Sequence, residues 1–114
     1  MEQADLRATL DTHVRRFNAA VRSGDFAPML AGFTEDAEMV FVGVPVGPFV
    51  GRQAIAEAYS AEPPDDEIRL LGAPLVAAET VESDYAWAAQ GGRAGRMTLT
   101  VHDGGICRLV VSFE

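Results

Sequence analysis

The chain has 114 residues and a formal net charge of −8, with seventeen acidic and nine basic residues. This length predicts one domain with a single core over residues 1–114, and the acidic balance argues against a nucleic-acid partner. All nine basic residues are arginine, which excludes lysine Schiff-base chemistry, and Cys107 is the only cysteine, which excludes an internal disulfide and a Cys-x-x-Cys metal site.

No apolar run reaches the roughly 18 residues that a membrane span requires. The first five residues are acidic and lack the apolar core of a signal peptide. We therefore expect a cytoplasmic protein that has no membrane partner and binds no metal or cofactor.

Two helices are predicted at the start of the chain. Over residues 3–22, apolar residues recur at spacings of three and four and so share one face. They are Leu6, Leu10, Val14, Phe17 and Val21. The Ser23-Gly24 pair is expected to end this helix, and Asp25 is expected to cap a second, short one. The apolar side of the second helix consists of Phe26, Met29, Leu30 and Phe33.

After Phe33 the pattern changes to that of a strand. Residues 37–42 alternate, which places Met39 and Phe41 on the face opposite Glu38, Val40 and Val42. The proline- and glycine-rich residues 43–51 cannot form regular structure, yet residues 44–50 are so apolar that they are expected to pack as a lid over a pocket or in a dimer interface. A third helix is predicted over residues 52–61.

The second half of the chain predicts a strand meander. The expected strands are residues 67–71, 75–80, 84–90, 96–102 and 106–113. Turn-forming residues separate them at 72–74, 81–83, 91–95 and 103–105. Helices followed by a meander indicate an α+β fold, in which a curved antiparallel sheet wraps around three helices and forms a cone.

Four segments resemble the nuclear transport factor two-like superfamily, which includes steroid delta-isomerases, polyketide cyclases, limonene epoxide hydrolases and scytalone dehydratase. The segments are residues 16–25, 33–37, 51–55 and 103–106. They are mostly caps and turns, so the resemblance is specific for the fold and says little about the chemistry. It implies the α+β cone and a homodimer formed through the convex face of the sheet. Candidate contact residues of that face are Val40, Val42, Thr98 and Thr100.

The resemblance also allows a test of isomerase chemistry. Steroid isomerases of this superfamily use a tyrosine on the first helix, an aspartate base on the first strand and a protonated aspartate on a late strand. Here these positions fall on Phe17, on Phe41 and on Arg96 or Met97. None of these side chains can serve in the corresponding role, so we expect no ketosteroid isomerisation.

The residues expected inside the cone predict an apolar pocket. Tyr59 follows Gly51 by the eight residues that separate the corresponding pair in the superfamily, so it is either a hydrogen-bond donor to a ligand or a core tyrosine with a backbone partner. The predicted ligand-binding residues are Phe17, Phe41, Tyr59, Trp87, Met97, Leu99, Val111 and Phe113, with Leu109 as a further candidate.

The two histidines are the candidates for proton transfer. His13 lies one turn before Phe17 and is either a general base in the pocket or a boundary residue facing water, which the usual partial exposure of histidine favours. His102 is expected to be solvated at a hairpin end, and Arg96 to face solvent or a partner chain. Cys107 is expected to be buried and inert.

Two functions of different class remain open. In the first, the cone binds a small apolar ligand of polyketide or terpenoid type, and any isomerase- or cyclase-type reaction on it would use Tyr59 and His13. Alternatively, the protein is a non-catalytic homodimeric interaction module whose cone is filled by its own aromatic side chains. A void above roughly 300 Å³ would favour the ligand.

Overall fold

Three helices and six strands make up the computed structural model, which describes residues 2–113. The helices are α1 (Glu2–Ser23), α2 (Ala27–Leu30) and α3 (Arg52–Ala61). The strands are β1 (Phe33–Val42), β2 (Phe49–Val50), β3 (Ile68–Val76), β4 (Thr80–Trp87), β5 (Arg93–His102) and β6 (Gly105–Ser112).

The six strands form one curved sheet in the order β2-β1-β6-β5-β4-β3. Helix α1 packs on β3 and β4, and α3 packs on β1 and β2, so the predicted α+β cone is confirmed. One feature of the sheet differs from the prediction: β1 and β6 pair in parallel, whereas the other neighbours are antiparallel. The sheet is therefore mixed. A parallel pair requires a long connection, and the segment between β1 and β6 is long enough for the chain to return to the same end of the sheet.

The predicted helices differ from the structure mainly at α2. Gly24 ends α1 with a φ of 81°, and its N–H donates to the Ala20 carbonyl at 2.7 Å, as expected of a glycine C-cap. Helix α2 has only four residues. Phe26 occupies its N-cap position, and the Asp25 carboxylate instead accepts a hydrogen bond from the Ala27 N–H at 3.0 Å. Phe33, which was predicted on α2, is the first residue of β1.

The predicted turn at residues 81–83 is wrong. Val81 is fully buried inside β4 and pairs with Leu99 of β5, and Ser83 is buried beside it. The chain turns earlier, at residues 77–79, where the Ala77 N–H donates to the Thr80 carbonyl at 2.9 Å. Strand β4 ends at Trp87, not at residue 90, because the Gln90 and Gly91 N–H groups fold back to donate to the Trp87 carbonyl.

Two glycine-containing segments also belong to strands. Residues 72–74 were predicted to separate two strands, but they lie within β3 as an irregularity between Leu71 and Leu75. Residues 93–95 were predicted as a turn, but they lie in β5, where Gly95 pairs with Tyr85. A Cβ on Gly95 would lie 1.8 Å from the Ser112 carbonyl oxygen, so glycine is required there by the close approach of β6.

The apolar segment after β1 is largely exposed. The exposed fractions are 37% for Val44, 51% for Val46 and 67% for Val50. Phe49 is the exception, because its ring packs on Phe41 with the centroids 6.2 Å apart. Phe49 and Val50 also form the short strand β2, within a stretch that was predicted to be irregular.

Candidate functional site

A cavity of about 170 Å³ lies inside the cone, between the helices and the face of the sheet that they cover. Most of its lining is aromatic or aliphatic. The lining residues are His13, Phe17, Phe41, Tyr59, Glu62, Pro64, Ile68, Tyr85, Trp87, Met97, Leu109, Val111 and Phe113. We call this space the inner cavity.

The alternation of strand residues determines which side chains reach the inner cavity. Met97 pairs with Val111 across β5 and β6, and both side chains are buried in the lining. Arg96, the residue before Met97, is exposed on the other face, and its Nε donates to the Asp84 carboxylate at 3.1 Å. The register that the sequence left open is thereby settled: Met97 faces inward and Arg96 faces outward.

Seven of the eight residues predicted to bind a ligand line the inner cavity. The exception is Leu99, which is fully buried in the core but is not part of the lining. Residues that were not predicted and do line it are Glu62, Pro64, Ile68 and Tyr85. Strand alternation could have identified Tyr85, since it lies two residues before Trp87. Its hydroxyl donates to the Ser112 carbonyl at 3.1 Å.

The three positions that would carry isomerase chemistry face the inner cavity with apolar side chains. Phe17 from α1, Phe41 from β1 and Met97 from β5 all belong to the lining. None of these three side chains can accept or donate a proton, so none can fill the role that the resemblance assigns to its position.

His13 is buried, and the expectation that it faces water is wrong. The side chain is 3% exposed, and Phe33 packs edge-on against the imidazole with the centroids 5.6 Å apart. Among residues 6–113, whose side chains the structure describes, nothing hydrogen-bonds to its Nδ1. Burial, assisted by the charge of Arg16, lowers the pKa of His13 to about 4, so the ring is neutral at neutral pH.

Tyr59 presents a second polar group to the inner cavity. Its ring stacks on Phe26 at a centroid distance of 5.0 Å and meets Phe17 edge-on at 6.5 Å. Burial raises the pKa of the Tyr59 phenol above its ordinary value, so the hydroxyl keeps its proton. Within the part of the chain that the structure describes, no group accepts a hydrogen bond from this hydroxyl.

The remaining candidates lie outside the inner cavity. His102 is exposed, with its Nδ1 3.6 Å from the Glu79 carboxylate and its Nε2 3.4 Å from that of Asp103. Cys107 is half-buried, and its Sγ lies 3.4 Å from the Thr100 carbonyl oxygen. The described residues contain no group of three or more His, Cys, Asp or Glu side chains that could hold a metal ion. No helix within the described range has the length and hydropathy needed to cross a membrane.

Solved structures share this fold at low sequence identity. A protein of unknown function from Burkholderia xenovorans LB400, described as NTF-2 like, superposes with a TM-score of 0.75 and 16% identity, over 100% of this chain and 86% of that one. A protein from Kribbella flavida DSM 17836, provisionally assigned as a ketosteroid isomerase, gives the same TM-score of 0.75 and 16% identity, over 100% and 81% of the two chains. A computationally designed 17-OHP binder gives 0.68 and 16%, over 90% and 88%.

Sequence comparison identifies the family directly. No curated protein matches the chain. The family profile of the SnoaL-like domain matches residues 14–109, which is most of the chain. Together with the shared fold, this match confirms the resemblance to the nuclear transport factor two-like superfamily, and the chain belongs to the SnoaL-like domain family.

Proposed function

We propose that the protein binds a compact apolar ligand, of the size of a single aromatic ring, in the inner cavity. The observation that carries this proposal is that the aromatic side chains at the centre of the cone leave about 170 Å³ between them. Apolar cavities of about 150 Å³ accept benzene, whereas pockets for drug-sized molecules begin at roughly 300 Å³. The volume is below the roughly 300 Å³ that we expected of a site for polyketide or terpenoid compounds, so we propose a smaller ligand.

The polar groups of the inner cavity favour a ligand that carries one hydroxyl or carbonyl group. The His13 ring is neutral and has an unpartnered Nδ1, and the Tyr59 phenol is a hydrogen-bond donor. A ring compound with one polar substituent, such as a phenol, would bury its ring among the aromatic side chains and bond to one of these groups.

The same groups support binding in preference to catalysis. A general base works best when its pKa lies near the working pH, and the pKa of His13 lies near 4. The phenol of Tyr59 is a still weaker acid than a free tyrosine, because burial raises its pKa. Neither His13 nor Tyr59 is matched to proton transfer at neutral pH, and we propose a ligand-binding role without isomerase or cyclase activity.

Fluorescence of Trp87 provides a direct test, because Trp87 is the only tryptophan and lines the inner cavity. Phenol, benzene and indane, none of which contains an indole, are titrated in turn, and we expect saturable changes in the Trp87 emission. Val111→Phe should abolish the response, because the larger side chain enters the cavity. Val46→Phe is the matched control, since Val46 is 51% exposed in the segment after β1 and is not part of the lining.

Two results would contradict the proposal. One is a Val111→Phe variant that is folded by circular dichroism and binds as well as the parent protein. The other is a parent protein whose Trp87 emission and methyl NMR spectrum respond to none of the probes. The second result would favour the alternative of an interaction module whose cone holds only its own side chains.

A further inference from the structure

We propose that a groove at the opposite end of the cone is a second binding site, which takes a small carboxylic acid with an apolar chain. This space, the α1 groove, has a volume of about 740 Å³ and lies between α1 and the turns that join β3 to β4 and β5 to β6. The inner cavity lies toward the other ends of these strands, near Trp87 and Phe113. His13 is the one residue that lines both spaces.

The floor of the α1 groove suits an aliphatic chain. Leu6 of α1, Met29 of α2 and Ile106 of β6 are all buried and all line the groove. Its volume lies within the range of roughly 300 to 1,000 Å³ that is typical of small-molecule sites. An apolar chain laid on this floor would remove its own surface from water.

Arg16 supplies a cation for the acid group. It lines the α1 groove, and among the described residues no carboxylate lies within ion-pair distance of it. Its guanidinium extends over Gly32, where a Cβ would lie 3.1 Å from Nη1. A guanidinium without a partner in a chain of net charge −8 is a fit for a carboxylate, which it binds through two parallel hydrogen bonds.

The two acidic residues that line the groove both contact His102. Glu79 and Asp103 lie on the turns across the groove from α1, and each has a carboxylate oxygen within 3.6 Å of a nitrogen of His102. Their charge is therefore concentrated around His102, while the α1 side of the groove carries the positive charge of Arg16.

His13 lines both spaces, so its unpartnered Nδ1 supports a ligand in either one and does not by itself favour the α1 groove. Buried polar atoms in proteins are nearly always hydrogen-bonded, yet no side chain within residues 6–113 bonds to its Nδ1. His13 and Arg16 are three residues apart on α1 and so lie on the same side of the helix. A carboxylate held by Arg16 could accept a hydrogen bond from the His13 ring in its Nδ1–H form.

Hexanoate is the probe for this site, and its neutral isostere hexanamide is the comparison. Amide NMR of the whole protein should show saturable shifts at Thr12, Arg16 and Gly104 with hexanoate, and much smaller shifts with hexanamide. Arg16→Gln should weaken hexanoate binding by about tenfold or more, because the bidentate ion pair is lost. Arg7→Gln is the matched control: Arg7 is exposed on the same helix and is not part of the groove lining.

Several outcomes would overturn the inference. They are the absence of hexanoate binding at millimolar concentration, equal weakening by Arg7→Gln and Arg16→Gln, equal affinity for hexanamide, and shifts confined to Trp87 and Tyr59. The Val111→Phe variant separates this site from the inner cavity, since it should keep its affinity for hexanoate. Hexanoate binding in the α1 groove can thus be absent while the inner cavity binds its ligand, and inner-cavity binding can be absent while the groove binds hexanoate.

Discussion

At the scale of single residues, the burial of His13 predicts a specific dependence of stability on pH. The pKa of His13 is about 4 in the folded protein, against the ordinary histidine value of 6.5 that applies to the unfolded chain. Between these values the unfolded chain binds more protons, so the free energy of unfolding falls as the pH falls from 6.5 to 4. The shift corresponds to a loss of about 3 kcal/mol.

The substitution His13→Leu should remove the part of this pH dependence that comes from His13. Urea unfolding followed by circular dichroism at several pH values gives the free energy of unfolding for the parent and the variant, and their difference isolates His13 from the carboxylates that titrate in both. We expect that difference to change by about 3 kcal/mol between pH 6.5 and pH 4. His102→Leu, which removes an exposed imidazole, is the control. Parallel curves for the parent and His13→Leu would contradict the prediction.

At the scale of the elements, Gly95 fixes the distance between β5 and β6. A Cβ at this position would meet the Ser112 carbonyl at 1.8 Å, and the Ser112 hydroxyl also accepts a hydrogen bond from the Arg96 N–H at 2.9 Å. Gly95→Ala should therefore push the strands apart and reduce the free energy of unfolding by about 1–3 kcal/mol.

Gly92→Ala provides the control for this effect, since a Cβ on Gly92 would meet nothing within 4 Å. Urea midpoints measured on both variants should show a clear loss for Gly95→Ala and little change or a small gain for Gly92→Ala. Equal midpoints would mean that the close approach at Gly95 has no energetic consequence.

The elements also show which parts of the fold the sequence could predict. Helix α3 has the predicted bounds, and α1 is close to them, because several turns of apolar periodicity leave little ambiguity. The β3–β4 turn was misplaced because Glu82 and Ser83 are common in turns. Their strand conformation comes from pairing with β5, which is remote in sequence.

The same distinction applies to the candidate site. Alternation along β5 and β6 predicted Met97 and Val111 correctly as inward-facing residues, since that pattern is local. The burial of His13 could not be predicted, because it depends on Phe33, which packs against it from another element. The volume of the inner cavity likewise depends on how side chains from seven separate elements fit together.

At the scale of the whole molecule, the outer face of the sheet is the surface on which a homodimer is expected. Val40 of β1 pairs with Val110 of β6, which pairs with Thr98 of β5, so the three form a row across the middle of that face. All three are half-buried in the single chain. An ion pair flanks the row, between Arg108 and Glu38 at 3.3 Å. An apolar row with a charged flank is the composition of many symmetric interfaces.

A dimer built on this face would bring two copies of the row together about a twofold axis, so one substitution would act twice. Val40→Arg should place two like charges at the contact and shift the protein from dimer to monomer in sedimentation velocity. Leu75→Arg is the matched control, because Leu75 is 61% exposed on β3, at the far edge of the sheet from β1. A parent protein that sediments as a monomer at micromolar concentration would exclude the dimer, and equal dissociation of both variants would place the interface elsewhere.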